Sequence, residues 1–135
     1  MVISVSKNSK VKMQNYNPKF KSDLSERCYR FSLGILTLSD SMSKKMSSRI
    51  MFNQLIRSAT SIGANLIEAK SSSSRIEFKK YYQIALRSAN ETKYWLNLLS
   101  DSGSSDKNIT TQLLNETDEL ARMLAAGVIK LKSSL

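Results

Sequence analysis

Residues 57–69, from Arg57 to Ala69, read RSATSIGANLIEA and lie inside a stretch whose apolar residues recur at helical spacing. Ser, Thr, Gly and Asn are weak helix formers. Gly alone costs about 1 kcal/mol relative to Ala in a helix interior, and the others cost a few tenths each. A helix of this composition needs compensation from outside itself. Phe52, Leu55, Ala59, Ile62 and Leu66 share one face of a helix running from about Arg49 to Ala69. Gln54, Ser58, Ser61, Asn65 and Glu68 form a second stripe well round from it, with Arg57 at its edge. Small side chains let a neighbouring backbone approach closely, and hydroxyls and amides supply hydrogen bonds. A helix facing only water would carry Lys, Glu and Ala there, because these form helix better. The stripe is therefore expected to be a packed polar interface, its partner either another helix of the same chain or another copy of it.

Working outward, three more helices follow from the same spacing. Asp23 opens a cap signature, D-L-S-E, with Glu26 placed to reach back to the free amides. Leu24, Cys28, Phe31, Ile35, Leu38 and Met42 then share one face. Cys28 holds one of those core places, which points to a packed rather than a reactive thiol. A Ser/Lys-rich joint precedes the second helix, and SSSS at 71–74 follows it. Ser74 and Glu77 spell another capping box. The third helix turns Phe78, Tyr81, Tyr82, Ala85, Ala89, Thr92, Leu96 and Leu99 inward and stops at D-S-G-S-S, where Gly103 suits a left-handed position. Asp106 caps a fourth, whose face includes Ile109, Leu113, Leu120, Leu124 and Leu131. The expected architecture is all-α, an antiparallel up-down-up-down four-helix bundle over residues 22–135. Residues 1–21 lack a period and read as a basic flexible tail.

Composition narrows the chemistry. The chain of 135 residues holds no histidine and a single cysteine. Histidine-dependent catalysis, imidazole metal sites and thiolate zinc cages are thereby excluded. No apolar run is long enough for a membrane span, and the N-terminal MVISVSKNSKVK lacks the apolar core of a signal peptide. The expected setting is cytoplasmic, with no cofactor and no membrane partner.

The net charge is +10. Residues 1–22 carry five lysines and no acid, and residues 41–87 carry nine Lys/Arg against Glu68 and Glu77. Such an excess suits a polyanion, with nucleic acid the first candidate. On the third helix Lys80, Gln83, Arg87, Asn90 and Tyr94 follow one another at helical steps opposite the core. Lys and Arg neutralise phosphates and Tyr stacks on a base, although the same pattern also describes an ordinary solvated face. Lys44, Lys45, Arg49, Arg75 and Lys79 lie near the ends of the second and third helices, and either widen that patch or divide between opposite ends of an antiparallel pair. Glu91 is a candidate cross-helix ion-pair partner for Arg57. Glu116, Asp118 and Glu119 read as surface charge.

The segments FNQLIRSATSIGANLIEA and SSSRIEFKKYYQIALRSANETKYWLNLL together resemble the bacterial four-helix-bundle family of the 23S ribosomal RNA intervening-sequence protein. The features that carry the resemblance are Q-L-I-R-S-A-T-S-I-G-A-N with a Glu soon after, a Ser/Arg loop, F-x-x-Y-Y opening the third helix, and E-T-K-Y-W-L near its end. It covers about Ser22 to the C-terminus, and the basic N-terminal stretch lies outside it. The resemblance implies a bundle that associates as a ring, typically a homopentamer. It also implies kinship with the accessory variability determinants of diversity-generating retroelements, which bind nucleic acid and a reverse transcriptase. The family supplies no catalytic residue to carry over. The functional expectation is a non-enzymatic, homo-oligomeric basic bundle that binds RNA or DNA largely independently of sequence. The alternative is a protein-interaction scaffold, for example for a reverse transcriptase.

Overall fold

The computed structural model describes residues 23–133. Helix α1 spans Asp23–Leu38 and runs into a 3₁₀ turn, Ser39–Ser41. Helices α2 (Met46–Lys70), α3 (Arg75–Asp101) and α4 (Lys107–Ser133) follow. Each packs on its neighbour in sequence, and α1 closes the ring against α4. Polar cross-links fix the directions. Lys70 at the end of α2 donates to Ser25 at the start of α1 (2.6 Å), and Lys93 of α3 pairs with Asp118 of α4 (2.9 Å). The result is the antiparallel up-down-up-down bundle that four amphipathic helices with short joints favour. The basic segment 1–21 lies outside the described residues.

Of the predicted core set, Phe31, Ile35, Leu38, Leu55, Ile62, Leu66, Leu96, Leu99, Leu113, Leu120 and Leu124 are all fully buried, whereas Phe78 and Tyr81, expected inward, are only half-buried. Each fully buried side chain contributes roughly 1.5–3 kcal/mol through its removal from water. The helix ends follow their signals. Ser74 Oγ accepts from the Glu77 amide (3.1 Å), and Asp106 Oδ1 accepts from the amides of Asn108 (2.8 Å) and Ile109 (3.1 Å). Gly103 sits at φ 73° after α3, letting the Ser104 amide reach back to the Leu99 carbonyl.

One detail departs from the sequence pattern. Helix α2 begins at Met46, earlier than Arg49. Its start is tied to the α3–α4 turn: the Ser43 amide donates to the Ser104 carbonyl and Ser48 Oγ to Ser104 Oγ, each at 2.8 Å. These tertiary bonds hold helix through a Ser-rich run that propensity alone would leave open. At the start of α1, the Glu26 carboxylate accepts from Arg30 one turn on (2.7 Å), an i,i+4 ion pair, and the cap expected at Asp23 lies outside the described side chains.

Candidate nucleic-acid interface

The hydroxyl-rich stripe of α2 faces α3 of the same chain. Ser58 is 1% exposed, and its Oγ lies 3.0 Å from Thr92 Oγ1. One turn on, Ser88 Oγ donates to Ser61 Oγ (2.9 Å). Asn65 Nδ2 donates back to the Ser61 hydroxyl and carbonyl, both at 2.8 Å. At the rim Arg57 pairs with Glu91, and its Nε donates to Gln54 Oε1 (3.1 Å). Glu68 is exposed. On the α1 side a Cβ at Gly63 would stand 3.2 Å from Cys28 Cβ, so this residue lets α1 and α2 close on each other. Buried hydroxyl pairs and two close helix contacts thus offset the poor helix propensity of residues 57–65.

Helix α3 carries both faces of the candidate site. Ala85, Ala89, Thr92, Leu96 and Leu99 are buried, while Lys80, Arg87, Asn90 and Tyr94 are exposed and Gln83 is half-buried. At 1.5 Å per residue the stripe from Lys80 to Tyr94 is about 21 Å long, the axial length of about six base-pair steps of a duplex at 3.4 Å each. Lys80 Nζ sits 5.7 Å from the centroid of the Tyr81 ring, a cation–π contact that holds the ammonium against the helix. Tyr94, 61% exposed, meets Trp95 edge to face with centroids 5.0 Å apart. Trp95 Nε1 donates to Glu91 Oε2 (2.9 Å), the carboxylate that also holds Arg57. A chain of contacts from α2 therefore braces an outward-facing aromatic ring, as a stacking platform requires.

The other nominated cations divide. Arg75, Lys79 and Lys80 lie at the start of α3. Lys44, Lys45 and Arg49 lie beside the α3–α4 turn, at the far end of a helix of 27 residues, about 40 Å away. Antiparallel packing leaves two basic patches where one broad one had been an option.

Asp118 and Glu119 keep well-exposed side chains, but Glu116 overturns its reading as surface charge. It is 4% exposed and takes two hydrogen bonds from Arg27 of α1, through Nη2 (2.5 Å) and Nε (3.2 Å). The same guanidinium reaches Glu119, whose carboxyl this hydrogen bond holds below its ordinary pKa. The signal was present: Glu116 stands between Leu113 and Leu120 at steps of three and four, on the core face. Cys28 is fully buried, and desolvation pushes its pKa up to about 12, as befits an inert packed thiol. Among the described residues no cluster of three or more His, Cys, Asp or Glu could hold a metal ion, and no helix is long and apolar enough to cross a membrane.

Residues 21–126 match the family described as 23S rRNA-intervening sequence protein. A solved structure of a protein with unknown function from the S23 ribosomal protein family of Bacteroides thetaiotaomicron is 31% identical. The match covers 78% of this chain and 97% of that one, with a TM-score of 0.72. No curated protein matches the chain.

Proposed function

The chain belongs to the 23S rRNA-intervening sequence protein family, and within it we propose a non-enzymatic, homo-oligomeric basic bundle that binds RNA or DNA largely independently of sequence, in a cytoplasmic setting. The observation that carries the proposal is the outer face of α3. Lys79, Lys80 and Arg87 enter no ion pair among the described residues, so their charge remains available to phosphates. Tyr94 continues the same face as a braced ring. Assembly multiplies the effect. Five copies of a +10 chain gather about 50 charges in one particle, and contacts too weak singly become effective through avidity. Since the hydroxyl stripe of α2 is satisfied by α3, association falls to other surfaces, and exposed Ile76 and Ile129 are apolar groups that gain from being covered.

The alternative is a scaffold or accessory subunit, for example for a reverse transcriptase, with no nucleic-acid binding of its own. The same exposed aliphatic side chains favour it, because they offer a nucleic acid neither charge nor a stacking face. Mobility shift at about 50 mM salt separates the two. Nucleic-acid binding predicts retention of RNA or DNA by the wild-type chain and its loss in Lys80→Glu/Arg87→Glu, with the native mass unchanged by light scattering. Absence of retention by wild type, or retention unaltered by the double reversal, refutes binding through this face.

A further inference from the structure

A groove of about 600 Å³ lies where the α1–α2 joint meets the first turns of α2, at the opposite end of the bundle from Lys79 and Lys80. Its apolar lining comes from Met42, Met46, Ile50 and Phe52. Met46 is 72% exposed and Ile50 57% exposed, one helical turn apart. Lys44 and Arg49 stand on the rim against a single acid, Asp40, and Lys45 is adjacent. None of the three cations enters an ion pair among the described residues. Helix α2 also starts here with no side-chain cap, so its first amides add partial positive charge at the same spot.

We propose that this groove docks an acidic amphipathic helix of a partner protein, its apolar side chains on Met46 and Ile50 and its carboxylates against Lys44 and Arg49. Three properties select that occupant. The exposed part of the lining, Met46 and Ile50, is aliphatic, and the one ring, Phe52, is half-buried against the core, so bases find no open ring to stack on, unlike the α3 face with Tyr94. The groove is open along one side, whereas small-ligand sites enclose most of their ligand. Flexible methionines at its edge adapt to side chains of several shapes, the recurrent means of seating an apolar helix face. Charge complementarity then favours carboxylates over lysines on the incoming helix.

The test uses the full chain and a labelled synthetic peptide of about 14 residues, four helical turns, with Leu at i, i+4 and i+7 flanked by Glu. One control peptide carries Lys for Glu, the other Ser for Leu. Fluorescence anisotropy is expected to show saturable binding of the acidic Leu peptide only. Arg49→Glu and Ile50→Asp, both at exposed positions, each weaken it at least about tenfold, while Lys80→Glu leaves it unchanged. No saturable binding, equal binding of either control, or indifference to both groove variants overturns the proposal. Tighter binding of dodecanoate than of the peptide reassigns the groove to a small amphipathic anion. A fall in native mass on Ile50→Asp makes it a contact between copies. Because Lys80 and Ile50 lie at opposite ends, failure here is distinguishable from failure of nucleic-acid binding on α3.

Discussion

Replacing Arg27 with Met is the sharpest structural perturbation available, because it keeps most of the aliphatic stem and removes only the guanidinium. Glu116, 4% exposed, then stays buried between α1 and α4 without its two hydrogen bonds. Breaking a buried pair by deleting one partner typically costs about 3–5 kcal/mol. Arg27 is 31% exposed, so water relieves part of that penalty, and the expected loss is about 2–3 kcal/mol. At this chain length that corresponds to a fall in melting temperature of about 8–15 °C. Glu116→Leu alone should cost less, since the freed guanidinium keeps exposed Glu119 as a partner. The double variant Arg27→Met/Glu116→Leu places apolar groups on both sides and should return to within about 1 kcal/mol of wild type. Urea unfolding of the four proteins gives the coupling energy directly, with the m-value expected to stay constant. A single Arg27→Met loss under about 0.5 kcal/mol, or strict additivity in the double variant, would refute the assignment of this pair as a buried, mutually dependent link.

Gly127 lies under Tyr82: a Cβ there would clash with the edge of the ring, itself stacked on Phe78 with centroids 5.3 Å apart. Gly127→Ala should therefore destabilise by about 1–3 kcal/mol despite the better helix former, and turn stabilising by up to about 1 kcal/mol in a Tyr82→Leu background, both read by thermal circular dichroism. Cys28 titrates at about 12 in the folded chain against an ordinary 9.0. Its raised value means stability is fully present below about pH 9 and drains away as pH climbs toward 12, by up to about 1.4 kcal/mol per pH unit. Cys28→Ala should flatten that decline relative to wild type, and the native thiol should react with a disulfide reagent only after denaturant is added. Ser61→Glu places a charge between Ser88 and Asn65 and should destabilise by more than about 1 kcal/mol in denaturant titration; a change within 0.5 kcal/mol would put the stripe on open surface.

The bundle was legible because apolar spacing is a local property. Phe31, Leu55, Leu96 and Leu120 declare their faces by the residues three and four away, and Ser74 and Asp106 mark their helix starts within one turn. What spacing could not supply was the identity of partners. Ser58 and Ser61 announced a packed stripe, yet only the angle between α2 and α3 made Thr92 and Ser88 the groups opposite them. The division of the cations had the same origin, since the side of the bundle on which Lys44 and Arg49 fall depends on helix direction and on the Ser43–Ser104 link. Glu116 was misread because its charge outweighed its position. An acid between two core leucines implies a buried cation, and Arg27 stood 89 residues away in sequence.

The most direct measurement is the salt dependence of single-stranded RNA affinity for wild type and for a Lys79→Ala/Lys80→Ala/Arg87→Ala variant of the same native mass. Each phosphate contact on a single strand contributes about 0.7 to the slope of log affinity against log salt. The outer face of α3 as the binding surface predicts a steep slope for wild type, and a slope for the variant shallower by about 0.7 for every contact removed. Parallel lines for the two proteins, or affinity indifferent to salt in both, would contradict it.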